Sequence, residues 1–211
     1  VNKFGGRFKY SKAVSLIDNV DSSITSNITL VTIRRNLKAV LGQFAQYELC
    51  YGNMFHTQES SYNIVSTGFT IEGVTETVYL ADEVINREKG RIFFFTYTEG
   101  GTPSIVKKNA GTVDYMTGEV LIDTVNILST VVANGVIEIQ AIPHSNDIVG
   151  LRDLYVKFDM TNTTINMVQD LIASGENTSG SRFVHTHSYY TPTFTRKSNS
   201  PVSTAAAILP S

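Results

Sequence analysis

Arg91-Ile92-Phe93-Phe94-Phe95-Thr96-Tyr97-Thr98 decides the fold class of this chain. Phe93, Phe95 and Tyr97 alternate with Ile92 and Phe94, so an extended backbone turns large apolar groups to both faces of a sheet. Both faces then need cover, which makes this a central or interface strand. Outward from it the same pattern recurs. Residues 112–115 and 120–128 flank a turn at 116–118 and predict a hairpin. Asn134-Gly135 is a strong turn signal ahead of an alternating run at 136–142. On the other side, Ala45, Tyr47, Leu49 and Tyr51 alternate with Gln46, Glu48 and Cys50. Short apolar runs at 64–65, 69–71 and 78–80 are separated by Gly or acidic turns. Leu154, Val156 and Phe158 alternate in the same way, and residues 165–173 suit either one helix face or a strand.

The opening differs. Tyr10, Ala13, Val14, Ile17 and Val20 recur at helical spacing and predict a helix over about 11–20 with Ser11 as its N-cap. Asp21-Ser22-Ser23 ends it, and residues 28–37 read as a strand. The fold class expected is α+β, predominantly β: a short helix–strand unit (1–38), then an antiparallel β-sandwich or partly open barrel (39–174), then an extended tail (175–211). About half of the tail is Gly, Ser, Thr, Asn or Pro, and three of the five prolines fall in it. Such a segment buries too little to offset its ordering entropy alone and is expected to be loose or ordered on a neighbouring chain.

Composition narrows function mainly by exclusion. In 211 residues only 17% are charged, with a net charge of -2. That is no electrostatic footprint for nucleic acid. No run of about 18 apolar residues is present to cross a membrane as a helix, and residues 1–10 lack a signal-peptide core. The chain starts on Val1 as if mid-domain, which suggests a piece of a longer protein. Cys50 stands alone, so an internal disulfide and a Cys-based zinc site are excluded.

The search for chemistry returns little. Phosphate-loop, dinucleotide and nucleophile-elbow motifs are missing. Asp18-Asn19-Val20-Asp21 has calcium-loop residue types without the Gly and distal Glu of that loop, and reads as a helix end and turn. Asp82-Glu83, Asp147 and Asp153 offer carboxylates, but adjacent acids usually solvate a turn. Cys50 among tyrosines reads as a packed residue rather than a nucleophile. His185 and His187, alternating on a strand, would share a face and could chelate a metal with His144, although a polar tail gives them no rigid scaffold. His56 has no evident catalytic partner. Three glycosylation acceptor patterns begin at Asn27, Asn162 and Asn177, and without a secretory signal they carry no weight. Arg34-Arg35 and Lys107-Lys108 are basic doublets able to clasp a partner's carboxylate.

Four stretches, taken in order, carry a resemblance. They are Phe4-Gly5-Gly6-Arg7-Phe8-Lys9-Tyr10-Ser11-Lys12 with Leu16-Ile17-Asp18-Asn19-Val20-Asp21; Ile24-Thr25-Ser26-Asn27 followed by Arg34-Arg35-Asn36; Ala110-Gly111-Thr112-Val113-Asp114-Tyr115-Met116-Thr117-Gly118-Glu119-Val120; and Ser145-Asn146-Asp147-Ile148-Val149-Gly150-Leu151-Arg152-Asp153. Together they resemble the C-terminal part of the inner-ring baseplate wedge subunit of T-even-like contractile-tailed phages, over residues 1 to about 175. The opening also resembles the end of the wider baseplate-J family. The resemblance implies a structural virion protein of the tail baseplate, assembled in the host cytoplasm. It would dimerise and contribute to a ring around the tail hub beside other wedge proteins. It implies no catalytic residue, cofactor, small-molecule substrate, nucleic acid or membrane. Partner contact is expected at Arg34, Arg35, Phe93, Phe94 and Phe95. The competing expectation is a β-sandwich module binding a carbohydrate or receptor, with Tyr47, Tyr51, Tyr189 and Tyr190 stacking on sugar rings.

Overall fold

The structure, a computed structural model, describes residues 5–58, 62–152 and 156–168. Contacts divide the chain into two units, Val1–Lys157 and Phe158–Ser211. In the first, the strand β1 (Arg7–Phe8) leads into the helix α1 (Tyr10–Asp18), and ten strands follow: β2 (Ile33–Lys38), β3 (Phe44–Cys50), β4 (Ile64–Ser66), β5 (Phe69–Ile71), β6 (Tyr79–Val84), β7 (Lys89–Tyr97), β8 (Pro103–Asp114), β9 (Glu119–Thr130), β10 (Val136–Ala141) and β11 (Ile148–Val149). In the second unit, among residues 158–168, Asp159 organises a turn. Its carboxylate accepts the Asn162 side-chain amide at 2.8 Å and its carbonyl accepts the Thr163 hydroxyl at 2.7 Å.

Nine strands form one antiparallel sheet in the order β2-β10-β4-β6-β7-β8-β9-β3, with β5 pairing β9. The end strands β2 and β3 are consecutive in the chain and curl toward each other, so the sheet is a nearly closed barrel. Two contacts reach across the gap. The Arg35 guanidinium on β2 donates to the Cys50 carbonyl at the end of β3, and the Val40 N–H donates to the Tyr47 hydroxyl at 3.1 Å. Side chains thereby satisfy edge groups that a fully closed barrel would pair through its backbone. Of the two architectures open from the sequence, the barrel is the one adopted.

Period-2 alternation fills the barrel. On β10, Ile137, Ile139 and Ala141 are buried while Val136, Glu138 and Gln140 are half-buried on the other face. On β7 five successive residues, Ile92 to Thr96, are buried, as the two-faced apolar pattern requires. Ile92 and Phe94 point into the barrel core. Phe93 and Phe95 point out and lie under a second aromatic layer made with Ala81, Tyr79 and Tyr97. Tyr62 meets Phe93 edge-on with ring centroids 5.5 Å apart and stacks on Phe95 at 6.2 Å.

Local corrections have physical causes. The strand expected from residue 28 begins at Ile33, because its partner β10 ends at Ala141, which faces Ile33. Beyond that point the β10 chain turns away through Pro143, bridged to Phe55. Ser11 is not the cap of α1. Lys9 occupies that position without a side-chain bond, and Asp147 Oδ1 accepts the Tyr10 N–H at 2.8 Å from far along the chain. Asn134 and Gly135 take the left-handed backbone, φ 65° and 68°, that the turn signal anticipates. No strand forms among residues 156–168; residues 153–155 and 169–173 lie outside the described residues, as does the tail from 175.

Asp82 and Glu83 do not solvate a turn. They sit on β6 facing opposite ways. Glu83 is exposed and pairs with Arg91 at 2.6 Å. Asp82 is buried and fully bonded. Its carboxylate accepts the Asn63 N–H at 2.7 Å, the Asn63 amide at 3.0 Å, the Ile64 N–H at 2.8 Å and the Tyr115 hydroxyl at 2.7 Å. A buried carboxylate is tolerated only when its lone pairs are used in this way. The Asp82 cluster joins β6 to the start of β4 and to the β8–β9 turn.

Burial, then the neighbouring Asp82 charge, push the Tyr115 hydroxyl well above its ordinary pKa of 10.0. Burial does the same to Tyr51, whose hydroxyl donates to the Ile139 carbonyl at 2.8 Å. The unfolded chain therefore loses these protons first as pH rises. Stability is full below about pH 10 and falls above it by about 1.4 kcal/mol per pH unit for each such tyrosine. Urea unfolding between about pH 9 and about pH 11 should show that decline, and the double variant Tyr51→Phe, Tyr115→Phe should flatten it. An unchanged slope in the double variant would contradict the assignment.

Candidate assembly surface

Three of the four stretches that carry the sequence resemblance meet at residues 50–54, the end of β3 and the loop after it, and the first stretch joins them through the last. Arg35 donates to the Cys50 carbonyl. The Tyr51 N–H donates to the Gly118 carbonyl at 2.8 Å. The Asn53 side chain behaves like a short piece of strand: its Oδ1 accepts the Val149 N–H at 2.8 Å and its Nδ2 donates to the Val149 carbonyl at 2.9 Å. The Met54 carbonyl accepts the His144 N–H at 2.8 Å. β11 then pairs with β1, with Phe8 opposite Ile148 and both buried.

Each stretch has a local reason for its residues. In the β8–β9 turn, Asp114 Oδ1 accepts the Met116 and Thr117 N–H groups at 2.9 and 3.0 Å. Those backbone bonds, led by Thr117, hold the Asp114 carboxyl below the usual carboxylate range. Gly118 has φ 71°, and a Cβ there would lie 2.1 Å from the Asn53 carbonyl oxygen, so only glycine fits. Gly150 donates its N–H to the Gly6 carbonyl at 2.8 Å, and a Cβ at Gly150 would meet that oxygen at 2.9 Å. These contacts anchor the opening segment to the barrel.

What the anchor holds out is apolar. No residue of α1 is buried. Residues 27–29 fold back along it, the Tyr10 hydroxyl donating to the Thr29 carbonyl at 3.1 Å and the Asn27 amide to Asp18. From this helix-and-strap unit Leu16, Val20, Ile28 and Leu30 stand 62%, 77%, 92% and 58% exposed, with Ile17 beside them at 40%. Single exposed apolar residues are ordinary, but five on one small unit make it the candidate interaction surface.

The residues expected at a partner interface lie elsewhere. Arg34 is half-buried and pairs with Glu138 at 3.3 Å, and Arg35 spans the barrel gap. Phe94 is core, while Phe93 and Phe95 are buried under the aromatic layer. Tyr47 and Tyr51, offered for sugar stacking, are buried inside the barrel; Tyr189 and Tyr190 lie outside the described residues. So do His185 and His187, and among the described residues no three His, Cys, Asp or Glu come together to hold a metal. Desolvation, followed by the Glu48 carboxylate 3.4 Å from its Sγ, pushes the Cys50 thiol up, the opposite of nucleophile activation.

Asn53 was hidden in the sequence, where Gly52-Asn53 signals only a turn. Replacing it should release β11 and with it β1. Asn53→Ala should cost about 1–3 kcal/mol and speed hydrogen exchange at the Val149 amide. Asp147→Ala should cost about 1 kcal/mol and speed exchange within α1. Exchange rates at Val149 and α1 equal to those of the parent chain would show that neither contact anchors the segment.

Comparison with known proteins bears on the same segment. Residues 1–36 match the family described as baseplate structural protein gp6, C-terminal domain III. Beyond residue 36 the resemblance drawn above rests on its motifs. No curated protein matches the chain. Among the described residues no helix is long and apolar enough to cross a membrane. The family match supports a structural component of a phage baseplate, located in the virion tail.

Proposed function

We propose that this chain is a non-catalytic wedge subunit of a contractile-tail baseplate that dimerises and contributes to a ring around the tail hub. Its partners are a second copy and other wedge proteins. It takes no cofactor, small-molecule substrate, nucleic acid or membrane, and it assembles in the host cytoplasm.

One observation carries this reading. The residues matched to a baseplate family, 1–36, include all five apolar side chains that the helix-and-strap unit leaves exposed. A structural subunit needs such a surface held rigidly on a folded body, because an interface ordered before contact loses less entropy on association. The β1–β11 pair, the Asp147 contact and Asn53 supply that rigidity. Burying Leu16, Val20, Ile28 and Leu30 against a second copy would contribute about 1.5–3 kcal/mol for each side chain fully covered.

Light scattering on the full chain across a concentration series tests the reading. A dimer or larger closed species should persist on dilution to about micromolar, a concentration matched to about 8 kcal/mol of association. The variant Leu16→Glu, Val20→Glu should lower the mass to that of a monomer with an unchanged circular dichroism spectrum. Equal association by the variant, or a parent chain that is monomeric throughout, would count against this surface as the self-association site.

A further inference from the structure

A second surface lies on the other side of the barrel, where β8 and β9 separate. β8 pairs with β7 from Pro103 to Asp114 but with β9 only from Gly111 to Asp114. At Gly111 the two strands are so close that a Cβ would lie 2.1 Å from the Leu121 carbonyl oxygen. Past Ile122, β9 keeps β3 on one side, with Val125 and Asn126 facing Ala45 and Phe44, and from Ile127 it pairs with β5 instead of β8. Among the described residues, 103–110 thus have one edge without a strand partner. The pairing of β8 to β7 changes register on both sides of Lys107, so the edge is bulged and runs for at most about 26 Å.

A groove of about 320 Å³ opens beside it, lined by Lys107, Phe44, Ile71, Val125 and Asn126, with Glu72 the one acid among the lining residues. Phe44 and Ile105 are exposed at its rim. Asn126 Nδ2 donates to Glu72 Oε2 at 2.9 Å, but Asn126 Oδ1 is buried without a hydrogen-bond partner. A buried orphan acceptor asks for a donor, and an unpaired strand edge offers backbone donors and acceptors.

We propose that this edge takes up an extended strand of a different protein, one that alternates acidic and apolar residues. Backbone pairing along 103–110 would supply affinity, Ile105 and Phe44 would take the apolar side chains, and Lys107 and Lys108 would take the acidic ones. Charge selects the occupant. Residues 103–110 contain two lysines and no acid. A second copy docking edge to edge would bring four lysines together, and like charges across paired strands are destabilising. The chain's own residues 177–211 contain Arg182, Arg196 and Lys197 and no acid, so they match no better. Pro103 and the lysines also guard the edge against indiscriminate pairing. The proposal does not rest on the assembly reading above, since it uses neither α1 nor residues 1–36.

The test uses the full chain and two synthetic peptides, Thr-Val-Glu-Val-Glu-Val-Thr and the same sequence with Lys for Glu. Fluorescence anisotropy should show the Glu peptide binding about three- to tenfold more tightly, as two exposed charge pairs allow, with the preference shrinking as salt rises. It should slow amide exchange at 103–110. The double variant K107E/K108E, checked for folding by circular dichroism, should reverse the preference. Equal affinity for both peptides, protection elsewhere, or an unreversed preference would overturn the proposal. So would protection of 103–110 that grows with chain concentration in the absence of peptide, which would identify a second copy as the occupant.

Discussion

The side-chain amide of Asn53 takes the place of a missing strand. By bonding both the N–H and the carbonyl of Val149 it holds β11 against the barrel, and β11 in turn holds β1. That pair, the Asp147 contact at the head of α1 and the Gly150–Gly6 bond tie the described part of the opening segment to the body. A nine-residue helix with no fully buried residue could not persist by itself. Its apolar residues are kept in place by polar bonds behind them, the opposite of the usual arrangement, in which a helix docks through its apolar face.

The barrel behind this anchor is held by two kinds of interaction. Its interior is ordinary apolar packing, with Ile64, Leu80, Phe94 and Ile139 excluded from water. Its ends are fixed by polar clusters where the sheet is irregular. Asp82 ties three elements at one place, and Arg35 crosses the gap at another. The same division explains the aromatic residues. Phe94 serves the interior, while Phe93 and Phe95 build an outer layer with Tyr62, Tyr79 and Tyr97 that shields the second face of β7 within the chain itself.

How much was legible in the sequence follows from range. Period-2 runs and short turn signals are local, so β7, the β8–β9 hairpin, the Asn134-Gly135 turn and β10 could be read directly, as could the predominance of β structure. Contacts across long separations could not. Nothing near Tyr10 announces that Asp147 caps its helix. Nothing around Cys50 announces that Arg35 reaches its carbonyl, and so a sandwich and a barrel stayed equally open. Adjacent Asp82 and Glu83 read as a loop because acids in a strand interior are rare, yet four donors from two other elements make the buried one stable. The Arg34-Arg35 doublet looked available to a partner for the same reason: its partners in the chain, Glu138 and Cys50, are remote in sequence. The exposed apolar set of α1 was visible as helical periodicity, but periodicity alone assigns such a face to a core, and only the structure shows it uncovered.

The proposed assembly role requires the opening segment to be a rigid surface made for another molecule. Hydrogen exchange by mass spectrometry on the full chain, from about micromolar to about hundred-micromolar concentration, spans the association range expected of such a surface. Residues 10–32 should gain protection as the chain associates, with Leu16, Val20, Ile28 and Leu30 inside the protected peptides. Association that protects other segments and leaves residues 10–32 unchanged would contradict that role.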